Sequence, residues 1–203
     1  MIRFVYGGSG SGKSSFAEQL VVSSGAERKY YVATMKVYDD EGRRKVERHQ
    51  KLREDKGFVT IEQPTNIGVV AERLRFDSTE QILQNVRPGE ETTGKTSEKS
   101  VVLLECVMNL VANEMFTPEG IVCEESAVIE RVKSGLTELF SVADDIVVVS
   151  GNVFCDGVEY DETTQSYMRA LAAVNAFVAR KADESFEVVA GIPLRIGSAE
   201  SAA

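Results

Sequence analysis

The chain has 203 residues, a length that suits one domain with a sizeable buried core. Hydrophobic residues make up 43% of it and charged residues 27%, a composition that excludes fibres and wholesale disorder. The formal net charge of −9 argues against nonspecific binding of nucleic acids or membrane surfaces, because polyanions would be repelled, so an anionic ligand must bind in a local positive pocket.

Short β-branched apolar runs alternate with amphipathic stretches, a pattern typical of an α/β domain with a mostly parallel sheet. The predicted strands, in chain order, are 2–6, 30–34, 58–62, 101–105, 146–150 and 187–191. The helices are predicted near 13–24, 40–55, 66–86, 107–116, 125–142 and 162–182. We expect the whole chain, 1–203, to form one domain, with a flexible loop at 87–100 and a disordered tail at 197–203.

The first predicted strand runs directly into GGSGSGKSS, a Walker A motif placed between a strand and a helix as the motif requires. Glycines let backbone N–H groups converge on phosphate oxygens, and the helix N-terminus adds the positive end of its dipole. Lys13 is expected to reach the β- and γ-phosphates of a nucleoside triphosphate. The alternative is a flexible turn that matches by accident. The predicted nucleotide-binding residues of the loop are Gly7, Gly8, Ser9, Gly10, Ser11, Gly12, Lys13 and Ser14.

A triphosphate-bound Mg²⁺ usually needs a hydroxyl from the phosphate loop and an acidic residue at the end of a neighbouring buried strand. Ser14 supplies the hydroxyl, and Glu105 ends the buried run VVLLE (101–105). We therefore predict Ser14 and Glu105 as the metal ligands. The alternative is that Glu105 merely begins the next helix.

His49 is the only histidine in the chain, and it lies within RRKVERHQKLR (43–53), where six cations accompany one anion. In a helix, Lys45 and Arg53 would share the face of His49. Such cations attract phosphates and disfavour the imidazolium form, which leaves a neutral ring able to act as a nucleophile or a base. The alternative is a solvated helix with an incidental histidine, and the residues alone leave both interpretations open.

Five segments, in order, give the chain a resemblance to the bifunctional adenosylcobinamide kinase/adenosylcobinamide-phosphate guanylyltransferase family of cobalamin biosynthesis. The opening loop resembles that family's GG-x-x-SGKS, and residues 31–53 resemble its Y-[IV]-AT…D-x-E…R-[IV]-x-x-H…R. FVTIEQP (58–64) resembles W-x-T-x-E-x-P, and residues 103–116 resemble the [DE]-C…N stretch. Residues 174–196 resemble the N-x-x-[LIV]-A…V-x-G-[IV]-P run. The resemblance covers nearly the whole length.

The motif, the elements and the resemblance together predict a RecA-like P-loop NTPase fold with a largely parallel central sheet flanked by helices. The resemblance implies that the chain phosphorylates adenosylcobinamide with ATP or GTP, using Lys13 and Mg²⁺. It further implies that His49 takes GMP from GTP covalently and passes it to adenosylcobinamide phosphate. Thr34, Arg53 and Glu62 are expected to help bind the nucleotide. Family members assemble as trimers, so a homotrimer is implied.

Three departures from the family pattern lie in the loop and in the second half of the chain. Gly10 replaces a frequent arginine, and Gly151 and Asn152 stand where the family has Asn-Glu. Met168 and Arg169 stand where it has Arg-Asp. Two alternatives therefore stay open: a P-loop small-molecule kinase without guanylyl transfer, and a nonenzymatic nucleotide-binding homologue.

The three cysteines, Cys106, Cys123 and Cys155, are odd in number and lack C-x-x-C spacing, so they predict neither a disulfide framework nor a zinc site. A reducing cytoplasm is the expected location. The N-terminal apolar stretch is interrupted by Arg3 and is too short for a secretion signal. No run approaches the ~18 apolar residues of a membrane span, so none is expected.

Overall fold

A computed structural model describes residues 1–36, 56–85, 98–154 and 157–198, which form a seven-stranded sheet with helices on both faces. The strands are β1 (Ile2–Gly7), β2 (Arg28–Ala33), β3 (Phe58–Glu62), β4 (Ser100–Glu105), β5 (Asp145–Gly151), β6 (Glu184–Val189) and β7 (Ile192–Ser198). The helices are α1 (Lys13–Val22), α2 (Gly68–Asn85), α3 (Val107–Met115), α4 (Glu125–Phe140) and α5 (Glu162–Lys181).

The strand order is β3-β2-β4-β5-β1-β6-β7, and every neighbouring pair is parallel except β6 and β7. Parallel strands end at the same edge of a sheet, so the C-terminal ends of β1, β4 and β5 lie side by side. β5 occupies the position between β1, which leads into the phosphate loop, and β4, which ends at Glu105. This edge is where an α/β sheet usually binds its ligand.

The core lies on both faces of the sheet, as the uninterrupted apolar strands predict. All seven residues of β5 are buried. Val147 and Val149 pack on one face with residues of α1, while Ile146 and Val148 pack on the other face with α3, α4 and α5. The central strands are therefore held from both sides, which fixes the positions of their C-terminal ends.

All six predicted strands are present, and five predicted helices are confirmed to within a few residues at each end. The helix predicted at 40–55 lies outside the described residues. The strand predicted at 187–191 begins three residues earlier, at Glu184. None of the described helices is both long and apolar enough to cross a lipid bilayer.

The prediction of a disordered tail from residue 197 was wrong at its start, because Gly197 and Ser198 belong to β7. Pro193 and the glycine obscured this strand in the sequence, since both weaken a strand signal, yet an edge strand tolerates them. Residues 199–203 lie outside the described part. The predicted loop 87–100 is also too long, because Ser100 begins β4, and residues 87–97 are not described.

Candidate nucleotide-binding site

The phosphate loop connects the end of β1 at Gly7 to the start of α1 at Lys13. Gly10 and Gly12 adopt positive φ angles of 69° and 90°, which glycine reaches without the steric cost of a Cβ. Gly12 precedes α1, and no side chain caps that helix N-terminus. An anion can therefore take the position that a capping side chain occupies in other helices.

The Lys13 side chain folds back across the loop, where its Nζ donates a hydrogen bond to the Gly8 carbonyl oxygen at 3.1 Å. This contact keeps the ammonium group over the loop whose backbone N–H groups would bind phosphate. Lys13 lines the same cavity as Ser9, Gly10 and Gly12. The cation predicted to bind the β- and γ-phosphates thus lies beside the cradle.

Ser14 and Glu105 come together from opposite sides of the site, as their prediction as a ligand pair requires. The Ser14 hydroxyl donates a hydrogen bond to Glu105 Oε1 at 2.6 Å. Glu105 is the last residue of β4, and α3 begins at Val107, so the carboxylate belongs to the strand end and not to the helix.

A hydroxyl and a carboxylate in contact are oxygen ligands of the kind that Mg²⁺ binds, together with phosphate oxygens and water. The pair therefore fits the magnesium ion that the fold implies. In the described part of the chain, no group of three or more His, Cys, Asp or Glu side chains could hold a metal by itself. A cation at Ser14 and Glu105 would thus depend on the nucleotide for its remaining ligands.

Thr34 is fully buried and does not line the cavity, although the sequence predicted it as a nucleotide contact. Its hydroxyl donates to the Cys106 carbonyl oxygen at 2.8 Å and accepts from the Cys106 N–H at 2.8 Å. Asn113 Nδ2 in turn donates to the backbone oxygens of Thr34 and Pro64, at 2.7 and 3.0 Å. These contacts fasten together the ends of β2, β3 and β4, and so hold Glu105 in place.

A cavity of about 600 Å³ opens at this edge of the sheet. Its described charged lining consists of two cations, Lys13 and Lys36, and two anions, Glu62 and Glu105. These four charges cancel, so among the described residues main-chain N–H groups, together with a metal cation, would neutralise a triphosphate bound there. The remaining lining residues are Ser9, Gly10, Gly12, Ser14, Ser15, Tyr31, Ala33, Met35, Thr60, Pro64, Cys106, Met108, Asn109, Gly151, Asn152 and Val153.

Cys106 contributes a thiol to this cavity but not a reactive one. Burial and the neighbouring Glu105 carboxylate raise the pKa of the Cys106 thiol to about 11. The group is therefore protonated at neutral pH, and the thiolate that nucleophilic chemistry needs is scarce. Cys106 is a packing residue at the start of α3.

The end of β6 and the turn between β6 and β7 contact the phosphate loop. The sequence analysis did not predict these contacts. The Gly191 N–H donates to the Ser11 carbonyl oxygen at 2.8 Å. A Cβ on Gly12 would lie 3.2 Å from Gly191 Cα, and one on Gly7 would lie 2.6 Å from the Val188 oxygen. The sequence signal for this turn was the glycine of the dipeptide Ala190-Gly191. In the structure, these two residues have φ angles of 49° and 82° and close a tight hairpin.

The structure brings Ser9, Gly10, Gly12, Lys13, Ser14, Glu62 and Glu105 together around one cavity. Gly7, Gly8 and Ser11 belong to the same loop but are not among the lining residues. His49 and Arg53 lie outside the described residues. The chemistry predicted for the basic segment 43–53 therefore rests on the sequence.

Comparison with known proteins gives a family and a fold. The sequence model of the cobinamide kinase / cobinamide phosphate guanyltransferase family matches residues 3–86 and 74–196. The bifunctional adenosylcobalamin biosynthesis protein CobU of Escherichia coli (strain K12) is 27% identical over 204 residues, which cover 97% of this chain and 99% of that protein. A solved structure of an ATPase domain superimposes with a TM-score of 0.51 at 11% identity, over 92% of this chain and 68% of that one. At this low identity the likeness shows the fold alone, and it confirms the predicted P-loop NTPase fold.

Proposed function

The chain belongs to the cobinamide kinase / cobinamide phosphate guanyltransferase family, and from that premise we propose that it catalyses two successive reactions. In the first, it phosphorylates adenosylcobinamide with ATP or GTP. In the second, it transfers GMP from GTP to the product through a covalent histidine intermediate and so gives adenosyl-GDP-cobinamide. The observation that supports the kinase step best is the 2.6 Å contact between Ser14 and Glu105 beside a complete Walker A loop.

In the kinase step, the loop amides and Lys13 bind the triphosphate, and Ser14 and Glu105 hold Mg²⁺. When bound, the metal neutralises phosphate charge. The aminopropanol hydroxyl of adenosylcobinamide forms the new bond to the γ-phosphorus as the bond to the β–γ bridging oxygen breaks. Lys13 stabilises the negative charge that spreads over the transferring group.

In the guanylyl-transfer step, a ring nitrogen of neutral His49 attacks the α-phosphorus of GTP, and pyrophosphate leaves. The resulting phosphoramidate is reactive enough to pass GMP to the phosphate of the corrinoid. The cations that flank His49 in the sequence, Arg53 among them, would attract the triphosphate and disfavour the protonated form of the ring. We assign Glu62, which lines the cavity at the end of β3, to nucleotide binding, and Thr34 to the same site through its support of Glu105.

We further propose that residues 1–203 act as one domain, that the protein works in the cytoplasm, and that it assembles as a homotrimer. Support for assembly comes from β7, an edge strand whose alternate residues Ile192, Leu194 and Ile196 are all at least 49% exposed. An exposed apolar edge strand of this kind invites association. Light scattering after size-exclusion chromatography tests it, and a monomer at micromolar concentration would contradict it.

The test of the transferase step is to incubate the protein with Mg²⁺ and α-labelled GTP and then to denature it. We expect protein-bound label that is labile in acid and stable in alkali, as a phosphoramidate should be. His49→Ala should carry no label. Label that survives in His49→Ala would remove the proposed nucleophile.

The kinase step is measured separately, as the conversion of adenosylcobinamide to its phosphate. We expect His49→Ala to retain this step and Lys13→Ala to lose it. A wild-type protein that phosphorylates the corrinoid but takes no label would be a kinase alone. One that binds nucleotide and does neither would be a nonenzymatic homologue.

A further inference from the structure

Asn152 directly follows β5. This strand lies between β1, which leads into the phosphate loop, and β4, which ends at Glu105. Gly151, the last residue of β5, is level with Gly7 at the end of β1. On the other side, Glu105 is level with Val149, so β5 extends two residues beyond the carboxylate-bearing position. A residue at 152 therefore follows a strand end that lies between the two halves of the phosphate site.

The backbone N–H of Asn152 is hydrogen-bonded to the phosphate loop, and the preceding Gly151 lies against α3. Its N–H donates to the Gly7 carbonyl oxygen at 3.0 Å, which ties it to the first residue of the loop. The preceding Gly151 has no room for a side chain, because a Cβ there would lie 2.8 Å from Met108 Sδ at the start of α3. These contacts place Asn152 beside the first residue of the phosphate loop and the start of α3.

The Asn152 side chain lines the cavity and is only partly buried. Its Oδ1 accepts a hydrogen bond from the Phe154 N–H at 3.1 Å. This bond orients the carboxamide and leaves the Nδ2 group as a donor with two N–H bonds. A neutral donor held rigidly beside a phosphate cradle matches the oxygen acceptors of a phosphoryl group.

We propose that Asn152 Nδ2 donates a hydrogen bond to the γ-phosphate of the bound nucleoside triphosphate and stabilises that group as it is transferred. The bond from the acceptor hydroxyl oxygen to the γ-phosphorus forms, the bond to the bridging oxygen breaks, the nucleoside diphosphate leaves, and the hydroxyl proton passes to water. The kinase part of this inference rests on the proposed function, whereas the binding part requires only the Walker A site.

The family pattern makes the inference specific to this chain. Asn152 stands where that pattern has a glutamate, and a carboxylate cannot donate a hydrogen bond to phosphate. This chain therefore binds the terminal phosphate with a carboxamide, at a position where the family pattern has a carboxylate.

The binding test compares Asn152→Asp and Asn152→Ala with the wild type, using the β,γ-imido analogues of ATP and GTP against ADP and GDP, all with Mg²⁺. Asn152→Ala removes the donor without adding charge, whereas Asn152→Asp keeps an acceptor for the Phe154 N–H, removes the donor and adds a negative charge. Loss of a hydrogen bond to a charged group should weaken binding of the triphosphate analogue about tenfold or more. Binding of the diphosphate to Asn152→Ala should stay within about twofold of the wild type. Asn152→Asp should be the worse, because its carboxylate also repels phosphate.

The kinetic test is single-turnover phosphorylation of adenosylcobinamide, in which both variants should be slower by about 10²-fold, the typical cost of one donor to transition-state charge. Gln165→Ala is the matched control, because it removes an exposed carboxamide on α5 that does not line the cavity. Its affinities and rate should equal those of the wild type. Thermal unfolding of each variant verifies that it is folded.

Equal weakening of diphosphate and triphosphate binding in Asn152→Ala, or no weakening of either, would overturn the role of Asn152. That result would leave the proposed function standing if the wild type phosphorylates the corrinoid. Conversely, a wild type inactive on adenosylcobinamide would contradict the proposed function, while selective loss of triphosphate binding would still support Asn152 as a γ-phosphate ligand.

Discussion

Replacement of Gly7 by alanine tests how tightly the end of β1 packs against its neighbouring strand β6. A Cβ at this position would lie 2.6 Å from the Val188 carbonyl oxygen and 2.7 Å from Ser11 Oγ. Ser11 can rotate away, but β6 cannot, because its backbone pairs with β1 along five residues. Overpacking of this kind typically costs 1–3 kcal/mol, and we expect about 2 kcal/mol in the free energy of unfolding. In a chain of this size, that loss lowers Tm by about 4–8 °C.

Urea denaturation followed by circular dichroism measures the effect, with a lower midpoint expected for Gly7→Ala at an unchanged slope. The matched control is Gly8→Ala, because a Cβ on Gly8 would meet no atom within 4 Å. Its stability should stay within about 0.5 kcal/mol of the wild type. If Gly7→Ala unfolds at the same urea concentration as Gly8→Ala, β6 does not confine position 7 as described.

Three further predictions concern the metal pair, the cavity thiol and a buried carboxylate. Ser14→Ala should slow corrinoid phosphorylation by at least about 10²-fold and raise the Mg²⁺ concentration needed for half-maximal rate; an unchanged Mg²⁺ dependence would contradict its assignment as a ligand. In a Cys155→Ser background at pH 8, iodoacetamide should alkylate half-exposed Cys123 much faster than Cys106, because burial raises the Cys106 pKa to about 11 and the thiol stays protonated below it. Peptide mapping that finds Cys106 labelled first would refute this. Glu114→Ala leaves the Asn66 N–H and the Arg131 guanidinium without their buried acceptor, so the free energy of unfolding should fall by about 1–3 kcal/mol in urea denaturation. An unshifted midpoint would show that the carboxylate is not needed for stability.

The sequence predicted the central sheet well because its strands are buried on both faces and carry the plainest signal. β4 and β5 are continuous apolar runs, and the Walker A loop marks where β1 ends and α1 begins. β7 was not predicted because it is an edge strand that contains Pro193 and Gly197, and its residues do not show the pattern of a strand buried on both faces. Edge position is set by the rest of the sheet and cannot be read from a short segment alone.

The contact between Ser14 and Glu105 was predictable for the same reason that the strands were. Ser14 follows from the motif, and Glu105 follows from its place at the end of a buried run. Other long-range contacts were not predictable, because they depend on the strand order. Asn152 drew attention in the sequence only as a departure from a pattern; its position beside the phosphate loop follows from the insertion of β5 between β1 and β4. The support of the loop by Gly191 likewise needs the antiparallel β6–β7 hairpin.

The central claim, that one protein performs two transfers and that His49 serves only the second, is tested most directly by product analysis. Adenosylcobinamide, ATP, GTP and Mg²⁺ are incubated with the wild type or with His49→Ala, and the corrinoids are separated by chromatography. The account predicts adenosyl-GDP-cobinamide from the wild type and accumulation of adenosylcobinamide phosphate from His49→Ala. Formation of the GDP-linked product by a folded His49→Ala protein would contradict it.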